Sequence, residues 1–315
     1  MSQNQTNAAD NAAKVGVLSA IAAYCMWGIA PVYFKQLQAL PAIDVLMHRV
    51  VWSAVILFVF IVGFKQGHKV ITAIKNLRVM RVLFVAGILL AANWLLFIWA
   101  INNDHILDAS LGYYINPLIN IFFGRLFLAE KLRPMQKLAV LITVFGVAGL
   151  VLSYGEFPWI ALVLAVTFST YGILRKKVAV DSLPGLFIET TLMLPFALFY
   201  WLTFASDYSM MSSNTWTLNI LLVAAGVVTT APLLCFTIAA RRIMYSTLGF
   251  LQYIGPSIMF LLALFVYKEP LDTTRLLTFA LVWFALLIFS VDSLRAYRKQ
   301  RRAFYAARSQ SEGPA

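Results

Sequence analysis

The chain has 315 residues, of which 61% are hydrophobic and 12% charged. Soluble proteins carry about 25% charged residues, so this chain cannot clothe a water-facing surface, and the medium for much of its length is lipid. A secreted disulfide scaffold, a disordered chain and an ordinary cytosolic enzyme are excluded. The net charge of +12 would suit a nucleic-acid binder, but the cations lie between apolar runs and in a C-terminal cluster, Arg295, Arg298, Lys299, Arg301 and Arg302. That placement follows the positive-inside rule of membrane proteins, and no nucleic-acid partner is expected.

Residues 1–13 read as a flexible polar tail without the basic region and cleavage site of a signal peptide. Apolar runs punctuated by charge, Pro or Gly then predict helices over 15–36, 42–64, 79–101, 107–128, 134–153, 157–175, 183–204, 217–240, 246–267 and 273–291, followed by a basic tail from 293. The runs suit spans of ~20 residues and lack the ~10-residue alternation of a membrane barrel. The expected fold is an all-α integral membrane protein of ten transmembrane helices. With the N-terminus inside, 21 of the 25 cations fall in cytoplasmic stretches. Lys35, Lys268 and Arg275 fall outside, and Arg49 is left within a helix. Cys25 and Cys235 sit inside apolar runs as small hydrophobes, so neither a disulfide nor a metal site is implied.

The chain repeats itself. Trp27-Gly28-Ile29 returns as Tyr171-Gly172-Ile173, and Ser110-Leu111-Gly112-Tyr113 as Thr247-Leu248-Gly249-Phe250. Pro117, Glu130, Leu132 and Phe145 return at one spacing as Pro256, Glu269, Leu271 and Phe284. The units are 14–155 and 156–292. Five helices is an odd number, so the second unit enters the membrane upside down. Inverted-topology repeats mark secondary transporters, whose halves rock about a central site.

The chain also resembles the RarD family of bacterial EamA-type proteins, in the drug/metabolite transporter superfamily. The similar stretches include Ala23-Tyr24 with Trp27-Gly28-Ile29-Ala30-Pro31, His48-Arg49-Val50-Val51-Trp52-Ser53 and Asn93-Trp94-Leu95-Leu96-Phe97-Ile98-Trp99-Ala100. They continue in Ile115-Asn116-Pro117, Ile188-Glu189-Thr190, Thr229-Thr230 through Pro232-Leu233-Leu234-Cys235-Phe236, and Gln252-Tyr253-Ile254-Gly255-Pro256. The resemblance covers essentially 14–292. It implies an inner-membrane carrier with ten helices, the fifth and tenth peripheral, and supplies neither a settled substrate nor assigned functional residues.

Ionisable groups at membrane depth cost ~2.5–3.5 kcal/mol each on insertion scales, so those present are informative. Arg49 and Glu189 fall at pseudo-equivalent positions in the second and seventh helices. They are expected at different depths of a central cavity, Arg49 for an anionic or carbonyl group and Glu189 for a cationic group or a coupling proton. A structural ion pair or a snorkelling Arg is the competing reading. His48 points about 100° from Arg49, and Asp44 reads as a solvated interfacial cap. Gly112, Asn116, Asn120 and Gly124 form a small, polar stripe at intervals of four, which suits close helix packing or, at Asn116, solute contact. Gln252 and Tyr253 are its counterparts in the second half. Asn93 and Trp94, with Tyr24, put amides and aromatic rings near mid-membrane, suited to a planar or amphipathic organic molecule or to helix packing. Pro31, Pro117, Pro232 and Pro256 are candidate kinks.

No phosphate-binding loop, nucleophile elbow or paired-His motif is present, so no catalytic residue, metal or cofactor is expected. A channel is the main alternative, but no charged ring or carbonyl filter motif is visible. The sequence therefore reads as a secondary transporter of small organic metabolites or drug-like solutes, working by alternating access, with proton coupling and homodimerisation left open. Its expected location is a bacterial inner membrane, with both termini cytoplasmic.

Overall fold

The computed structural model describes residues 3–37, 39–103, 105–204, 206, 210–212, 214–268 and 273–311. Among them there is no strand. The elements are α1 (Gln3–Phe34), a 3-10 turn (Lys35–Leu37), α2 (Ala42–Gly63), α3 (Gly67–Lys75), α4 (Leu77–Asn102) and α5 (Ile106–Leu128). They continue with α6 (Pro134–Tyr154), α7 (Trp159–Lys177), α8 (Ser182–Thr203), α9 (Trp216–Arg242), α10 (Tyr245–Gln252), α11 (Ile254–Phe265) and α12 (Thr273–Ser311).

Nine segments among the described residues are long and apolar enough to cross a membrane, with α10 and α11 counted as one. The expected fourth span, α5, has 23 residues and so has the length. Asn116, Pro117, Asn120 and Arg125 dilute its apolar character, which leaves it outside those nine. Large side chains such as Phe58, Phe84, Phe196 and Leu202 are exposed, as expected where the surroundings are hydrocarbon and every backbone group is bonded within a helix. This is a multi-pass membrane protein.

The structure departs from the sequence reading in five places. Residues 3–13, expected as a flexible tail, continue α1, and the basic tail continues α12 as far as Ser311; Ala, Gln, Lys and Arg all favour helix. The stretch between the second and third spans, expected as a loop, contains α3, whose Val70 and Ala73 are buried while Ile71 and Ile74 are exposed. The expected ninth helix is broken at Tyr253. Pro256 has no N–H for the Gln252 carbonyl four residues earlier, so the helical ladder fails at that step. Asp44, expected to be solvated, is 1% exposed and accepts hydrogen bonds from the Tyr200 hydroxyl (3.2 Å) and from Ser206. Glu269 and Leu271, part of the repeat, lie outside the described residues.

The chain divides into two compact units, one made of 1–130 with 157–269 and the other of 131–156 with 270–315. In the first, α7 packs against α4, α5 and α9. Its core includes Tyr24, Trp27, Phe168, Tyr171 and Phe236, with Tyr171 stacked on Phe236 at 6.2 Å and Trp27 edge-on to Phe168 at 5.8 Å. In the second unit, α6 and α12 meet where Gly146 faces Leu281 and where the Thr278 hydroxyl donates to the Gly146 carbonyl at 3.1 Å. Arg133 pairs there with Asp292 at 2.5 Å.

Candidate functional site

Within the first unit, α2, α4, α8 and α9 enclose a cavity of about 10 Å³, room for one water molecule. The helices reach this arrangement through close approach. At Gly226 of α9 an added Cβ would lie 2.6 Å from the backbone carbon of Trp52, so only glycine lets α2 come this near, and Ser53 Oγ donates to the Gly226 carbonyl at 3.3 Å. One turn further along α9, Thr229 and Thr230 line the cavity, joined by Ser53, Thr190 and Trp94 among apolar Val50, Leu90, Leu186, Met193 and Leu233. The Thr230 hydroxyl is buried without a hydrogen-bond partner among the described residues.

Arg49 stands beside this cavity, one turn before Ser53 on α2. Its Nε donates to Thr229 Oγ1 at 2.8 Å, and its guanidinium lies over the Trp94 ring at 4.8 Å and the Phe34 ring at 5.3 Å. Among the described residues no carboxylate lies within 4 Å of it.

Glu189 faces elsewhere. Although it adjoins Thr190 in sequence, its carboxylate lies 3.4 Å from Arg175 Nη1, with both side chains 0% exposed, and it accepts from the Tyr171 hydroxyl at 3.3 Å. Arg175 Nη2 also donates to the Ser182 carbonyl at 3.0 Å. The guanidinium rests where Gly185 has no side chain, since a Cβ there would be 2.1 Å from Nη1. The sequence reading counted Arg175 among the loop cations because it precedes Lys176 and Lys177; in the structure it turns back between α7 and α8.

The amides form a closed network. Gln252 Nε2 donates to Asn116 Oδ1 at 2.7 Å, Asn120 Nδ2 donates to Gln252 Oε1 at 2.6 Å, and Asn116 Nδ2 donates to the Ala165 carbonyl at 3.0 Å. Asn93 Nδ2 reaches the Leu164 carbonyl and Thr167 Oγ1, both at 2.8 Å. The Tyr253 hydroxyl donates to the Tyr114 carbonyl at 3.0 Å. The Tyr24 ring is buried against Trp27 and Phe236. Of the sequence candidates, Trp94 lines the cavity and Arg49 adjoins it, while Asn93, Asn116, Gln252 and Tyr253 join helices to one another. Pro31, Pro117 and Pro232 lie inside continuous helices, and Pro256 lies in the first turn of α11.

At the ends where α7 finishes and α8 begins, polar groups stitch several elements together. Glu130 accepts from the backbone nitrogens of Tyr245 (2.5 Å) and Ser246 (2.8 Å), capping α10. Lys176 donates to the Ala240 and Ile243 carbonyls. Asp181 accepts from Lys69 of α3 at 2.7 Å and lies 3.4 Å from Arg241. The Lys69 hydrogen bond holds the Asp181 carboxyl below the usual carboxylate range, outweighing partial desolvation.

The sequence reading missed Arg175, Thr190, Thr229 and Thr230 as site residues. The available signals were hydroxyls inside apolar runs next to Glu189 and shortly before Pro232.

Packed apolar helices around a small, largely apolar cavity that carries a few hydroxyls define a polytopic membrane protein. A family model described as the EamA-like transporter family matches residues 14–152. An "Uncharacterized transporter" of Vibrio cholerae serotype O1 is 53% identical over 92% of this chain and 97% of its own. "Protein RarD" of Escherichia coli K12 is 49% identical over 90% and 96%, and "Chloramphenicol-sensitive protein RarD" of Pseudomonas aeruginosa is 32% identical over 91% and 97%. A solved structure described only as "Crystal structure of protein" is similar at a TM-score of 0.68 with 17% identity, covering 87% of this chain and 96% of that one, which is a likeness of fold alone. The chain belongs to the RarD family of EamA-like transporters, in the drug/metabolite transporter superfamily. It is a membrane transporter.

Proposed function

We propose that the protein is a secondary carrier of small organic solutes that works by alternating access. In this reading ten spans form two inverted five-helix repeats, both termini are cytoplasmic, and the membrane is a bacterial inner membrane. The observation that carries it is the cavity: α2 and α4 come from the first repeat, α8 and α9 from the second, and all four line one small pocket that carries the hydroxyls of Ser53, Thr190, Thr229 and Thr230. A carrier must return empty through a closed state, and a pocket with room for one water suits such a state. The names of the relatives support transport, and the absence of a nucleotide-binding motif from the sequence supports a gradient as the driving force.

Two measurements test this. In proteoliposomes, solute on the far side should accelerate uptake of labelled solute; uptake indifferent to far-side solute would replace the carrier with a channel. Reporter fusions should read cytoplasmic after Gly67 and external after Gly155, and a cytoplasmic signal at Gly155 would remove the inverted ten-span topology.

A further inference from the structure

We infer that the solute is a monocarboxylate with an apolar body, its carboxylate taken by Arg49. The inference rests on the carrier reading and narrows its substrate. A guanidinium inside a span is expensive unless an anion neutralises it, and among the described residues no carboxylate pairs with Arg49. Among the described side chains, Glu189 is committed to Arg175 and Tyr171 and Asp44 to Tyr200 and Ser206. Neither neutralises Arg49, and neither is held against the cavity to repel a bound anion.

The guanidinium is also held in place before any solute arrives. Thr229 takes Nε, and the Trp94 and Phe34 rings carry the cation. Nη1 and Nη2 have no partner among the described residues, and this is the pair of donors that matches the two oxygens of a carboxylate. Thr230, the next residue on α9, offers a buried hydroxyl with no partner among the described residues at the cavity wall. The number of charges selects among anions. Among the described residues Arg49 is the cation that contacts the cavity wall, so a phosphate dianion would leave a net negative charge in a low-dielectric site. The remaining wall, Val50, Leu90, Leu186, Met193 and Leu233 with the Trp94 ring, suits an apolar or aromatic body.

The test uses the full-length protein in detergent and matched pairs of probes, phenylacetate with phenylacetamide and 4-methylpentanoate with 4-methylpentanamide, read by calorimetry and thermal shift. At least one acid should bind at least about tenfold more tightly than its amide, the worth of a charge-assisted hydrogen-bond pair. Arg49→Gln should abolish that preference. Thr229→Val keeps the charge but frees Nε, so it should weaken acid binding severalfold and narrow the acid-over-amide ratio. Equal affinity for acid and amide, an acid preference surviving Arg49→Gln, or no binding by either acid overturns the inference. Counterflow of neutral solutes without acid preference would sink the carboxylate assignment alone, whereas acid binding without counterflow would sink the carrier reading alone.

Discussion

Replacing Glu189 by Gln changes one buried charge and almost nothing else. The amide matches the carboxylate in volume, so packing is preserved, and Tyr171 keeps an acceptor at that position. What changes is the electrostatic position of Arg175, which is 0% exposed and 3.4 Å from the Glu189 carboxylate. Its remaining partner would be the Ser182 carbonyl at 3.0 Å, while Nε has no hydrogen bond among the described residues. Breaking one side of a buried ion pair typically costs about 3–5 kcal/mol, whereas replacing both sides by apolar groups is often neutral. Arg175 is two residues from the end of α7, and its long stem can carry the charge part of the way to the interface. The expected loss for Glu189→Gln is therefore near the lower figure, about 3 kcal/mol. The double variant Arg175→Met, Glu189→Leu should recover most of it. The assay is equilibrium unfolding in mixed micelles with increasing denaturing detergent, followed by tryptophan fluorescence. A single variant within about 0.5 kcal/mol of wild type, or a double variant less stable than the single, would refute the ion-pair account.

The same pair bears on coupling. If Glu189 carries the transported proton, Glu189→Gln in proteoliposomes, with folding verified, should lose pH-driven uptake but keep solute exchange; unaltered pH-driven uptake removes the proton from that residue. Gly172→Ala should destabilise by about 1–3 kcal/mol, because its Cβ would sit 2.1 Å from the Tyr245 hydroxyl and displace it from the Ser169 carbonyl. Tyr245→Phe should relieve much of that loss in the double variant, and additive losses would exclude the steric coupling. The lowered Asp181 pKa makes its ion pair with Lys69 stabilising above the unfolded carboxylate pKa, and this contribution disappears as pH falls through the folded value. Both side chains are about half exposed, so Lys69→Met should cost less than about 1 kcal/mol at pH 7 and nothing measurable in acid; a loss independent of pH would mean packing, not charge.

The spans were legible because lipid imposes one rule on every residue in them: the backbone must bond to itself and most side chains must be apolar. That rule locates α2, α5, α6 and α8 to within two residues, although Asn116, Asn120 and Arg125 thin the apolar character of α5. α3 escaped it because a short surface helix with two buried residues, Val70 and Ala73, leaves no long apolar run. The candidate site was legible in part for a related reason. Arg49 stood out because a lone cation inside an apolar run has no local explanation. Arg175 had one, since Lys176 and Lys177 follow it and any reading by neighbours assigns all three to water. Only the missing side chain at Gly185, ten residues on, opens the space into which it folds. Composition measures how many charges a chain must hide or solvate; which ones it hides is decided by where a glycine on another helix leaves room. Among the described residues, the half-buried cation beside the cavity has no carboxylate within 4 Å, while the fully buried one behind Glu189 is paired with it. That asymmetry separates a charge available to a solute from a charge that holds helices together.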